Sequence, residues 1–265
     1  MTKRFCSHGL LGLLVWTLLL PATVRAQSPV TVQHTEGLIH GFLVLRTLEG
    51  EALADGELTQ VARGDRVTSH LVFHFKDGSL HEETVVFSQR RNFRLISDHL
   101  LQKGPAFKHP MDVSIDGSTG QTTVRYTDDD GKDKEASERL KIPPDLANGI
   151  ILILLKNIPP DTAQTKFSMV AATPKPRLVK LLVSPEGEDS FSVGASRHKA
   201  TRFVLKVEIG GVAGVVAPLV GKQPPDTHVW IAGGDAPVFV KSEGSLYVGG
   251  PVWRIELASP SWPDH

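Results

Sequence analysis

Apolar side chains recur at every second position through much of this chain. Phe203, Leu205, Val207 and Ile209 alternate with Arg202, Lys206 and Glu208; Trp253, Ile255 and Leu257 alternate with Arg254 and Glu256. A two-residue period sends one set of side chains to a core and the other to water, which a strand satisfies and a helix does not. The pairs Asp77-Gly78, Asp116-Gly117, Asp130-Gly131, Glu186-Gly187 and Gly233-Gly234 punctuate the runs. Such pairs supply the positive φ that tight hairpins need. Strands are expected near 38–48, 67–76, 79–88, 93–100, 111–116, 121–127, 176–184, 189–194, 200–210, 228–233, 237–242 and 251–258. The expected fold class is mainly β: a curved antiparallel sheet or open half-barrel of successive hairpins.

One segment breaks the period. Pro143-Pro144-Asp145 leads into the apolar run Ile150–Leu155, and Pro159-Pro160 closes it. Proline in the first turn with an early Asp suits a helix start, and a later proline pair stops one. A helix over 144–157 is expected, apolar all round at 150–155, and therefore buried with the sheet wrapped around it. A buried strand at 150–155 is the alternative, because a short apolar run fits either. The charge run 128–141 (DDDGKDKEASERLK) is expected to be a solvated loop within a single β-rich domain spanning 27–265.

The N-terminus predicts export. Lys3 and Arg4 precede the apolar run Leu10–Leu20, Pro21 breaks it, and Val24-Arg25-Ala26 ends in a small residue. This is the pattern of a signal peptide over 1–26, and the run is shorter than the roughly 20 apolar residues a membrane span needs. The whole chain carries 29 basic and 29 acidic side chains; cleavage after Ala26 leaves 26 and 29, a net charge of −3. That balance argues against nucleic acid as a partner. Cys6 leaves with the peptide, so cysteine nucleophiles and thiolate metal sites are excluded from the mature chain. The destination is periplasm or medium, with no transmembrane helix after cleavage.

The hairpin at Val67–Ser88 carries the densest chemistry. With Asp77-Gly78 as its two loop residues, His74 faces His81, Val72 faces Glu83, and His70 faces Val85. His70, His74, His81 and Glu83 then share one face, and three imidazoles with a carboxylate are ordinary zinc ligands. A metal-assisted hydrolase is one reading of that quartet; a polar, solvent-facing side of a half-buried hairpin is the other. A three-residue loop slips the pairing and dissolves the cluster.

Other motifs fail on spacing. His81-Glu82-Glu83-Thr84-Val85 begins like a zincin helix but lacks the second His and lies on a strand. Asp128, Asp130 and Gly131 resemble part of a calcium loop whose first and twelfth positions would be Tyr126 and Ser137. Gly214 and Gly221-Lys222-Gln223 lack the spacing and hydroxyl of a phosphate-cradling loop. The chain has no nucleophile elbow, and nothing marks an orienting acid for Ser196 and His198. No cofactor is implied. The glycine-rich stretch 209–221 reads as a strand end plus an apolar loop. Trp230 and Trp253 are strand aromatics, candidates either for packing or for lining a ligand.

The phrases Phe73-His74-Phe75-Lys76-Asp77-Gly78-Ser79-Leu80, Gln102-Lys103-Gly104-Pro105 and Pro144-Asp145-Leu146-Ala147-Asn148-Gly149 resemble a group of uncharacterised exported bacterial β-proteins. Val229-Trp230-Ile231 followed by Pro237-Val238-Phe239 is loosely similar to periplasmic domains of unknown function. In those, a curved antiparallel sheet holds a helix. The resemblance implies a fold and a compartment and carries no catalytic residues. The concave sheet is also similar to that of cell-envelope lipoprotein carriers, an analogy of fold alone. The leading expectation is therefore a non-enzymatic envelope protein that binds an apolar ligand, lipid or envelope partner in the concavity. A structural or assembly protein with no pocket is the further alternative.

Overall fold

The computed structural model describes residues 29–193, 196–208 and 224–258. The expected signal peptide and the glycine-rich stretch lie outside them. The described strands are β1 (Ile39–Arg46), β2 (Ala52–Arg63), β3 (Arg66–Phe75), β4 (Leu80–Gln89), β5 (Phe93–Lys103), β6 (Met111–Asp116), β7 (Gln121–Thr127) and β8 (Asp133–Arg139). A connector with one short helix, α1 (Ile151–Leu155), follows. Then come β9 (Thr165–Ala171), β10 (Arg177–Val193), β11 (Ser196–Glu208), β12 (Thr227–Ala232), β13 (Val238–Gly244) and β14 (Trp253–Leu257).

All fourteen strands form one antiparallel sheet in the order β8-β7-β6-β5-β4-β3-β2-β1-β14-β13-β12-β11-β10-β9. Every neighbour is a hairpin partner except at the middle, where β1 pairs with β14. The sheet is not closed: β8 and β9 are its edges. It is strongly curved, because one core cluster joins Val124 of β7 to Phe167 of β9, from opposite ends of the strand order. Residues that far apart in the sheet touch only when it curls over them.

The connector supplies the filling. Leu146, Ala147, Ile150, Leu154, Leu155 and Ile158 are buried in that core, between Val85 and Phe87 on one side and Leu181 and Phe203 on the other. The helix is five residues long, not the expected 144–157, and Ile151, Leu152 and Ile153 are only half-buried. The rest of the connector is irregular because it makes sheet-like contacts instead. Ala147 N–H donates to the Ser168 carbonyl and Ser168 N–H to the Asp145 carbonyl. Asn148 Oδ1 accepts the Val170 N–H at 2.8 Å. A second core gathers Leu43, Leu45, Ala54, Phe73, Phe75, Phe107 and Trp253.

The segment before β1 is pinned across one end of the sheet. Asn157 Oδ1 accepts the Gln33 and His34 N–H groups at 2.8 and 2.7 Å. Buried Glu36 pairs with Lys156 and accepts from Gln60 Nε2 at 2.9 Å, and its N–H donates to Gln89 Oε1 at 2.7 Å. Three further strands, β2, β8 and β9, lie where none was expected. In β2 the Asp55-Gly56 pair resembles a turn but is extended. Gly56 lies beneath Phe73, where a Cβ would sit 2.3 Å from the ring. The expected loop 128–141 holds a turn and then β8, an edge strand exposed on both faces apart from Ala136. Charges along such an edge keep it from pairing with other chains.

Candidate ligand site on the inner face

The β3–β4 hairpin does not have the expected register. Phe75 N–H donates to the Ser79 carbonyl at 2.9 Å and Gly78 N–H to the Phe75 carbonyl at 3.0 Å. Lys76, Asp77 and Gly78 thus form the loop, with Gly78 at φ +85°. The pairing moves by one residue: His74 faces Leu80, Phe73 faces His81, Leu71 faces Glu83 and His70 faces Thr84. A one-residue slip sends a strand's side chains to the other face. His70 and His74 stay outside, where His70 Nε2 lies 2.8 Å from Glu82 Oε1. His81 and Glu83 turn inward. The expected zinc quartet is therefore not assembled, and no group of three or more metal-ligating side chains occurs among the described residues.

The two tryptophans also part. Trp253 lies in the inner aromatic cluster, 5.6 Å from Phe75 and 6.5 Å from Phe107 between ring centroids. Trp230 is on the outer face. Its Nε1 donates to Asp189 Oδ2 at 2.7 Å and Lys241 Nζ stands 4.1 Å from its ring centroid. Ser196 faces Val193 and His198 faces Phe191 across the β10–β11 hairpin, and both are exposed.

Register and burial together define a different site. Across β1 to β5 the inner face is ruled into rows of directly facing residues. One row is Leu43, Gly56, Phe73, His81 and Gln102, all buried. Four positions along is a row in which Gln60, Val85 and Asp98 are buried and Ser69 is half-buried. Between them run Gly41, Leu58, Leu71, Glu83 and Leu100, none of which is fully covered. Inward-facing residues that keep exposed surface between two more deeply buried rows mark a trough on the concave side. Three leucines and one carboxyl line it.

The trough is walled by polar groups of unequal satisfaction. On one side Gln102 Nε2 donates to His81 Nδ1 at 3.0 Å and to the Leu246 carbonyl at 2.9 Å. That bond makes Nδ1 an acceptor, so the imidazole carries its proton on Nε2. Burial holds the His81 pKa down to about 4, and the ring is neutral at pH 7. On the other side Asp98 is 6% exposed and its Oδ1 has no hydrogen-bond partner. Burial first, and the Glu83 charge second, push its carboxyl well above the usual range. Burial likewise pushes Glu83 up to about 7.

Asp98 could not be found by counting. Alternation from Phe93 and Leu95 would place Ser97 and His99 inside. A bulge between Val86 and Phe87 shifts the β4–β5 register, so Asp98, Leu100 and Gln102 face inward instead.

Three other features hold no competing site. Ser168 Oγ donates to Asp145 Oδ1 and accepts from Lys180 Nζ, each at 2.9 Å, with Lys180 Nζ 3.7 Å from Asp145 Oδ2. The Ser168 hydroxyl is buried and engaged by both partners, and the trio serves to fasten the connector to β9 and β10. A recess of about 420 Å³ near Met111, Arg125 and Lys134, and another of about 520 Å³ near Ile96, Ser118 and Pro143, both exclude Glu83 and Asp98.

No protein-family model and no curated sequence matches the chain. It is similar to a solved structure from Brucella abortus, described as a beta-barrel-like protein of domain of unknown function DUF1849. The identity is 8% and the TM-score 0.47, over 87% of this chain and 100% of that one.

Proposed function

We propose that this chain is a non-enzymatic, exported protein of the bacterial cell envelope that binds an apolar ligand on the concave face of its sheet. The half-open leucine row carries the reading. Each of Leu58, Leu71 and Leu100 faces the core side yet keeps exposed surface. Apolar surface left uncovered inside a fold costs roughly 25 cal/mol per Å², and an apolar occupant recovers it. The Lys3-Arg4 start, the Leu10–Leu20 run and Val24-Arg25-Ala26 support the compartment.

The test is titration of the purified chain with the neutral fluorescent amine-free probe 1,6-diphenylhexatriene. Saturable emission is expected in the wild type, and Leu71→Gln should weaken it by about ten-fold, through the polar amide now facing the probe. Emission that does not saturate, or that Leu71→Gln leaves unchanged, overturns the reading in favour of a filled structural protein. Mass spectrometry of export-competent cells, giving the residue at which the mature chain begins, checks the compartment separately.

A further inference from the structure

Resting on that reading, we propose that the occupant is a single-chain amphiphile with a protonated amine head, seated between the Glu83 and Asp98 carboxyls beside Leu100, with its chain along Leu71 and Leu58. The register makes the two acids diagonal neighbours: Glu83 faces Leu100, and Asp98 faces Val85 two positions along. Asp98 is nine-tenths buried, turned to the inner face, with Oδ1 unpartnered. A buried polar atom without a partner is costly, and a buried pair of like charges more so.

Nothing in the surrounding strands answers that need. Among the described residues, the inward positions of β2 to β6 include no lysine or arginine. His81, the other titratable group on that face, is neutral, and its Nδ1 is committed to Gln102. Farther along the Asp98 row, past Gln60, Glu36 is already paired with Lys156. A small cation supplies what is missing to both carboxyls at once. An ammonium offers three donors and one positive charge, so it satisfies Asp98 Oδ1 and offsets the Glu83 charge. A carboxylate head would bring a third acid. A hydroxyl would donate one bond and leave the charge uncompensated. The raised carboxyl pKa values agree, since they mark two buried acids whose ionised forms lack a cationic partner.

The experiment compares decylamine, decanol and decanoate, each below its micellar concentration, by competition against the bound hexatriene probe at pH 7. The amine is expected to bind about ten-fold or more tighter than the other two. In Glu83→Gln with Asp98→Asn that preference should vanish while probe binding persists. Equal binding of all three, or tighter binding of decanoate, overturns the amine head but leaves the apolar site standing. A preference for the amine that survives both substitutions overturns the assignment to these two residues. If neither the probe nor any of the three binds, the apolar site itself is overturned. The comparison on the unsubstituted chain decides the head group even if the variants do not fold.

Discussion

At the residue scale the inner face holds three titratable groups whose charged forms burial disfavours, and they pull stability in opposite directions with pH. Glu83 and Asp98 have raised carboxyl pKa values, so their contribution is full below the unfolded values and is lost as pH rises through the folded ones. His81 is depressed from 6.5 to about 4, so its contribution is full above 6.5 and is lost as pH falls toward 4. Over that lower range the His81 loss reaches the order of 3 kcal/mol. Above pH 6.5 only the acids still change. The melting temperature is therefore expected to fall between about pH 6.5 and 8, each kcal/mol being worth roughly 2–4 °C in a chain of this size. In Glu83→Gln with Asp98→Asn the descent should flatten. A thermal melt series on both proteins checks this, and an equally steep descent in the variant would refute it.

At the element scale the strands differ in how much of their ladder water can reach. β8 has one partner, β7, and almost no buried surface. Its amides are expected to exchange with solvent at least ten-fold faster than those of β3 and β4, which are paired on both sides. Hydrogen exchange followed by mass spectrometry measures it; comparable protection in β8 would mean that something else covers the edge. Alternation and turn pairs were enough for a β-fold of successive hairpins, because those signals are local. The hairpin register was not legible, because Asp77-Gly78 serves a two- or three-residue loop equally well and only the packing of Val85 and Phe87 into the first core decides. The inward turn of Asp98 was hidden by a bulge that leaves no mark in composition. The helix is shorter than the run implies, since a run as apolar as Ile150–Leu155 is demanded equally by any segment that fills a core.

At the scale of the whole molecule the strand order is that of a plain meander whose sequence has been cut and rejoined. Read from β9 to β14 and on from β1 to β8, every strand would follow its neighbour. A circular permutant that opens the exposed Pro159–Asp161 turn and links Ala258 to Pro29 by a Gly/Ser tether turns the β1–β14 pairing into a local one. It is expected to keep the far-ultraviolet spectrum of the parent and to refold faster, by about ten-fold, because lower contact order shortens the search. Stopped-flow refolding tests it, and slower refolding would show that the β1–β14 joint is not the bottleneck. The natural order has its own consequence during synthesis. The ribosome delivers β1 with one ladder of amides and carbonyls bare, and the strand that covers them emerges last. Until β14 emerges the nascent sheet keeps a sticky flank at its centre, available to any holdase that grips extended polypeptide.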